Sequence, residues 1–107
     1  MSLAEPRRGE VWLADLDKRR PVVVLTRNPL GRHLHSVIVG PVTSTVRGLS
    51  TEVDVGPADG VAVASVVNLD NLQLVERSRL SRRVGQARAA TMTRICGAVA
   101  TAIGCTR

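Results

Sequence analysis

The sequence predicts an α+β fold: a small, partly open β-barrel of short antiparallel strands, with one α-helix at its C-terminal end. Three observations carry this expectation. The first two-thirds of the chain are short valine-rich runs punctuated by Gly, Pro, Asn and Asp. The connections between those runs are too short for crossover helices, which a parallel sheet would need. The last third changes period, with apolar residues three and four apart.

Glu10 to Leu16 alternates as a strand, and Pro21 to Thr26 reads as a buried strand. Asp17, Lys18, Arg19 and Arg20 join them as a tight hairpin, with Pro21 placed at the strand start, where a missing N–H costs least. Arg27 to His35 holds Asn28, Pro29 and Gly31 and is loop chemistry; Ser36 to Thr45 resumes as a strand. Thr51 to Val55 alternates, Gly56 to Gly60 is a turn, and Val61 to Val67 and Leu69 to Glu76 are two further extended segments. Five or six strands are expected.

From Arg88 to Ile103, the stripe Met92, Ile95, Val99 and Ile103 marks an amphipathic helix that Gly104 ends. Gln86 to Ala90 offers no Ser, Thr, Asp or Asn as a cap, and Gly97 with several threonines lowers propensity. This helix must therefore rely on docking to the sheet.

At 107 residues the chain is expected to be a single domain, 1–107, that buries roughly two-thirds of its unfolded surface. No run approaches the roughly 18 apolar residues of a membrane span, and Met1 to Pro6 followed by Arg7 and Arg8 lacks a signal-peptide core. A cytoplasmic location without membrane contact is the expectation. Cys96 and Cys105 have no histidine beside them, so they form neither a disulfide framework nor a zinc spacing.

The net charge of +6 points to a polyanion, since Lys and Arg contacts to phosphate supply most non-specific nucleic-acid affinity. Lys18 is the only lysine, and no acidic residue lies between Arg77 and Arg107. Arginine's planar fork suits phosphate. Trp12 is the only aromatic side chain, which argues against a stacking platform for bases.

The sequence has no HExxH, paired-cysteine or phosphate-loop motif and no carboxylate cluster of the two-metal kind, so a nuclease here is expected to need no metal or other cofactor. Metal-free RNA cleavage uses the ribose 2′-hydroxyl as an internal nucleophile. The protein must then move a proton, stabilise charge on phosphorus and protonate the leaving oxygen.

Four ordered segments bear on this: Arg8 to Leu16, Arg20 to Leu25, Gly40 to Thr45 and Ser65 to Leu72, followed by Val84-Gly85, Ala90-Thr91-Met92 and the helix. Together they resemble the signature segments of the MazF/PemK toxins over nearly the whole chain. The resemblance implies an SH3-like, PemK/CcdB-like barrel and an endoribonuclease toxin of a type II toxin–antitoxin system. It implies a homodimer acting on single-stranded RNA and neutralised by a cognate acidic antitoxin. By the same resemblance Arg20, just before Pro21, matches the family's catalytic arginine, and Thr43 its catalytic threonine. His33 and His35 occupy positions on which the family does not depend.

The loop joining the first two strands is shorter than is usual in the family, so RNA contacts are expected elsewhere, from Arg19, Arg27, Arg32 and Arg47. Two other classes compete: a gyrase-poisoning toxin of the related CcdB fold, and a nucleic-acid-binding barrel without cleavage. The first is associated with an aromatic-bearing tail, whereas this chain ends Gly104-Cys105-Thr106-Arg107.

Overall fold

A computed structural model describes residues 5–27 and 35–105. Arg32 and His33 lie outside the described residues. Among those described, seven strands form one antiparallel sheet, followed by a single α-helix. The strands are β1 (Glu10–Asp15), β2 (Arg19–Val24), β3 (Ser36–Thr43), β4 (Glu52–Val55), β5 (Ser65–Asn68), β6 (Gln73–Glu76) and β7 (Leu80–Gln86), and the helix is α1 (Ala89–Ala102). Their order is β4-β5-β3-β2-β1-β7, with β6 paired to β3 beside this path.

The α+β class holds, with corrections in detail. The sheet is not closed, because its end strands β4 and β7 do not pair. Residues 61–64 are irregular, with bends at 62 and 63, rather than strand, and Leu69–Asn71 is a single 3-10 turn before β6. Pro21 is the third residue of β2, not its first.

That misplaced proline shapes the site. Pairing between β2 and β3 runs only from Val24↔Val39 to Val22↔Pro41. Pro21 and Pro41 flank its end, and neither can donate an N–H to continue the ladder. Beyond them β3 turns to β5, pairing Val42↔Val67 and Thr43↔Val66, and a fork opens between β2 and β3.

Alternation sorts the valines onto two faces. Val11, Val23, Val42, Val53 and Val67 join Ile95 and Ala98 of α1 in one core cluster. Ala14, Val22, Val37, Val39, Val75 and Leu80 form a second cluster on the opposite face. Each buried valine contributes on the order of 1.5–3 kcal/mol relative to exposure.

The helix is capped from outside its own sequence. Arg88 at its start makes no side-chain cap. Instead Asp59, fully buried in the turn after β4, accepts the Arg88 N–H at 2.9 Å, the Thr91 hydroxyl at 2.9 Å and the Arg88 guanidinium at 3.2 Å. A carboxylate here also complements the helix dipole. The turn packs tightly on β7: a Cβ built on Gly85 would lie 2.5 Å from the Gly60 Cα, and Gly60 itself adopts φ +82°. Glycine is required on both sides of that contact.

Burial alone would push the Asp59 carboxyl up, but the hydrogen bonds from the Arg88 N–H, the Arg88 side chain and Thr91, together with the Arg88 charge, hold it below its ordinary value of 3.8. A depressed folded-state value means this stabilisation is complete above the unfolded value and is lost as pH falls through the folded one. Denaturant melts are therefore expected to show an acid-side loss of stability beginning near pH 3.8. Asp59→Asn should weaken that dependence and lower stability at neutral pH by about 1–3 kcal/mol. Unchanged melts for Asp59→Asn at pH 7 would refute the role of Asp59 as a cap.

Candidate functional site

Four adjacent strands each present one polar residue on the same face. Alternation puts Arg20 on the face of Val22, and Thr43 on the face of Val39 and Pro41. The β2–β3 register, carried two residues past Val22↔Pro41, brings Arg20 opposite Thr43 across the fork. On the other side of β3, Thr43 pairs with Val66, two residues before Asn68, and Asn68 pairs with Glu52 of β4. The row Arg20, Thr43, Asn68, Glu52 thus crosses β2, β3, β5 and β4 in spatial order.

Two hollows meet at Arg20 and Thr43. One, of about 180 Å³, is polar, and besides these two residues it is lined by Thr45, Arg47, Glu52, Asn68 and Asn71. The other, of about 340 Å³, is lined by Lys18, Ser44 and Ser65 with apolar Val42, Val61 and Val63. Extended chain with one group at the fork could place a neighbouring group in each.

Arg20 is not the exposed hairpin arginine that the turn sequence implies. Its side chain is only 22% exposed, and its Nη2 pairs with Asp17 at 3.4 Å. Its Nε is buried and has no protein acceptor within hydrogen-bonding reach. A buried donor left unmet costs about 1–3 kcal/mol, so this group favours any acceptor that enters the fork. Thr43 complements it: its Oγ1 accepts the Thr45 N–H at 3.1 Å, which leaves the hydroxyl hydrogen to donate.

Of the other arginines expected to contact RNA, Arg47 lines the polar hollow. Arg19, next to Arg20 on the opposite face of β2, is exposed and pairs with Asp15 at 3.2 Å; it lines neither hollow. Arg27 is exposed beyond β2 and also lines neither. Sequence reasoning missed Glu52, Asn68, Asn71 and Lys18. Glu52 and Asn68 could have been found only by knowing that β4 and β5 are neighbours, whereas Lys18 stood beside Arg20 in plain view.

The model of the family described as PemK-like, MazF-like toxin of type II toxin-antitoxin system matches residues 7–103. The chain belongs to this family. Among similar proteins, a probable endoribonuclease MazF5 of Mycobacterium tuberculosis is 40% identical over 107 residues, covering 97% of this chain and 98% of that protein. An endoribonuclease MazF3 of the same species is 47% identical over 75 residues, 70% of this chain and 73% of its own length. Of solved structures, the Mycobacterium tuberculosis toxin MazF-mt6 superposes with a TM-score of 0.84 at 40% identity, over 89% of this chain and 96% of that one. A mycobacterial endoribonuclease in complex with its cognate antitoxin gives a TM-score of 0.87 at 33% identity, over 95% and 98% of the two chains. In this MazF-like toxin the segments Arg20 to Leu25, Gly40 to Thr45 and Ser65 to Leu72 each contribute to the lining of the two hollows.

Proposed function

We propose that this toxin is a metal-independent endoribonuclease that cleaves single-stranded RNA at the fork, with Arg20 and Thr43 as its catalytic residues. The observation that carries the reading is the buried, unmet Nε of Arg20, which lines both hollows together with Thr43. A scissile phosphate at that point would receive the guanidinium's charge and a hydroxyl hydrogen bond, the donors that stabilise negative charge building up on phosphorus. The 2′-hydroxyl attacks the adjacent phosphorus and the P–O5′ bond breaks. A 2′,3′-cyclic phosphate and a 5′-hydroxyl end result.

Among the described residues no three His, Cys, Asp or Glu side chains lie close enough together to hold a metal ion. Arg47 and Lys18 extend the positive path on either side of the fork, with Arg19, Arg27 and Arg32 as further contacts to RNA.

The toxin acts as a homodimer. Ile38 and Leu74, cross-strand partners on β3 and β6, are 45% and 72% exposed beside an apolar hollow that includes Leu25, Leu72 and Ile103. Large apolar side chains adjoining on a surface mark contact sites. A cognate acidic antitoxin neutralises the +6 chain, as the solved complex of a relative with its antitoxin suggests. The protein works in the cytoplasm, and no helix among the described residues is long and apolar enough to cross a membrane.

End-labelled single-stranded RNA incubated with purified toxin in excess EDTA is expected to be cut at discrete sites, with cyclic-phosphate ends recovered from the products. Cleavage that appears only after Mg²⁺ is restored, or none in either buffer, would overturn the reading.

A further inference from the structure

We propose that Glu52 is a positioning residue for RNA cleavage, whose carboxylate sits in a backbone nest formed by Arg47 to Leu49 and holds Arg47 across the polar hollow. The inference rests on the RNA-cleaving role of that site. Thr43 is followed directly by an exposed segment, 44–50, that has no regular secondary structure. Such a segment would ordinarily be ordered only when substrate arrives, at an entropic cost to binding.

Here the chain orders it in advance. Glu52 Oε1 accepts the N–H groups of Arg47 and Leu49, each at 3.1 Å, and Oε2 accepts a longer bond from Arg47 at 3.3 Å. Gly48, between them, has φ +74°, the left-handed turn that lets alternate N–H groups converge on one anion. The Glu52 N–H in turn donates to the Leu49 carbonyl at 3.0 Å and closes the loop. A concavity of this kind binds phosphate in other settings; in this chain its own carboxylate fills it. Glu52 also lines the hollow with Arg20, Thr43 and Arg47, so the clamp and the fork share one wall. Its hydrogen bonds go to the loop backbone, an arrangement for holding rather than for proton transfer.

The test compares Arg47→Ala, Glu52→Ala, Glu52→Gln, Gly48→Ala and the Arg47→Ala/Glu52→Ala double variant by steady-state cleavage of one RNA. Hydrogen exchange of the Arg47 and Leu49 amides is followed in parallel. Gly48→Ala is an independent probe, because a Cβ there meets nothing within 4 Å and acts only through the backbone.

Arg47→Ala and Glu52→Ala are each expected to raise KM about tenfold with kcat within about threefold of wild type, and Gly48→Ala to raise it in the same sense. Glu52→Gln, whose amide oxygen can accept the same two N–H groups, should recover most of the loss. The double variant should be no worse than the more severe single change, since Glu52 acts through Arg47. Additive losses would overturn the proposal, as would equal kcat losses of about 100-fold in Glu52→Ala and Glu52→Gln, which would mark a proton acceptor instead. Unprotected amides in the wild type would refute the clamp itself. Failure of the wild type to cleave any RNA would instead sink the RNA reading, and with it the positioning role, even if the amides proved protected.

Discussion

A target RNA in which only the scissile nucleotide's 2′-hydroxyl is replaced by hydrogen is expected to bind as well as the parent and to remain uncut. The reason is geometric. A hydroxyl held next to its own phosphate attacks with the effective molarity of a well-oriented intramolecular reaction, which supplies about 7–11 kcal/mol of the barrier. Nothing in the fork replaces it: the lining of both hollows contributes donors and cations, with Glu52 the only carboxylate. The substituted RNA should compete with the parent at a similar concentration, which separates lost chemistry from lost binding. Cleavage of the substituted strand at a comparable rate would show that water, not the ribose, attacks phosphorus.

Arg20→Ala should slow cleavage by about 10²- to 10³-fold, or roughly 2.7–4 kcal/mol of transition-state stabilisation, the usual loss on deleting one preorganised donor to a developing anion. Stability should stay near wild type, because the change also removes a buried Nε that has no partner in the resting fold. Arg20→Lys should recover little, since an ammonium on a flexible stem cannot present a planar fork to phosphate. Single-turnover rates beside thermal melts would check both halves. Undiminished cleavage by Arg20→Ala, or a loss matched by unfolding, would remove Arg20 from the reaction.

Arg20 and Thr43 could be singled out in the sequence because each sits in an ordered segment that resembles the family's own. What the sequence did not reveal is why they meet. That depends on two prolines, Pro21 and Pro41, ending a ladder at the same level, and strand pairing between distant segments is invisible to local pattern. For the same reason Arg19 and Arg20 read alike as neighbours, although alternation sends one to Asp15 and the other into the fork. Strand β7 escaped notice because Ser81, Arg82 and Arg83 are exposed and its pairing with β1 shifts register twice, so no clean alternation survives. The helix was legible from its spacing, including its missing cap. The residue that supplies the cap, Asp59, lies too far upstream for any local rule to find.

That remote cap makes the helix dependent on the sheet during folding. A segment ending in Ala102 whose first turn is completed by a side chain near residue 59 cannot nucleate as an autonomous unit, given its glycine, its threonines and its short length. Its first turn is completed only when the turn bearing Asp59 has packed against β7, with Gly60 lying on Gly85. The packing of the Asp59 turn on β7 and the formation of the helix therefore belong to a single cooperative step.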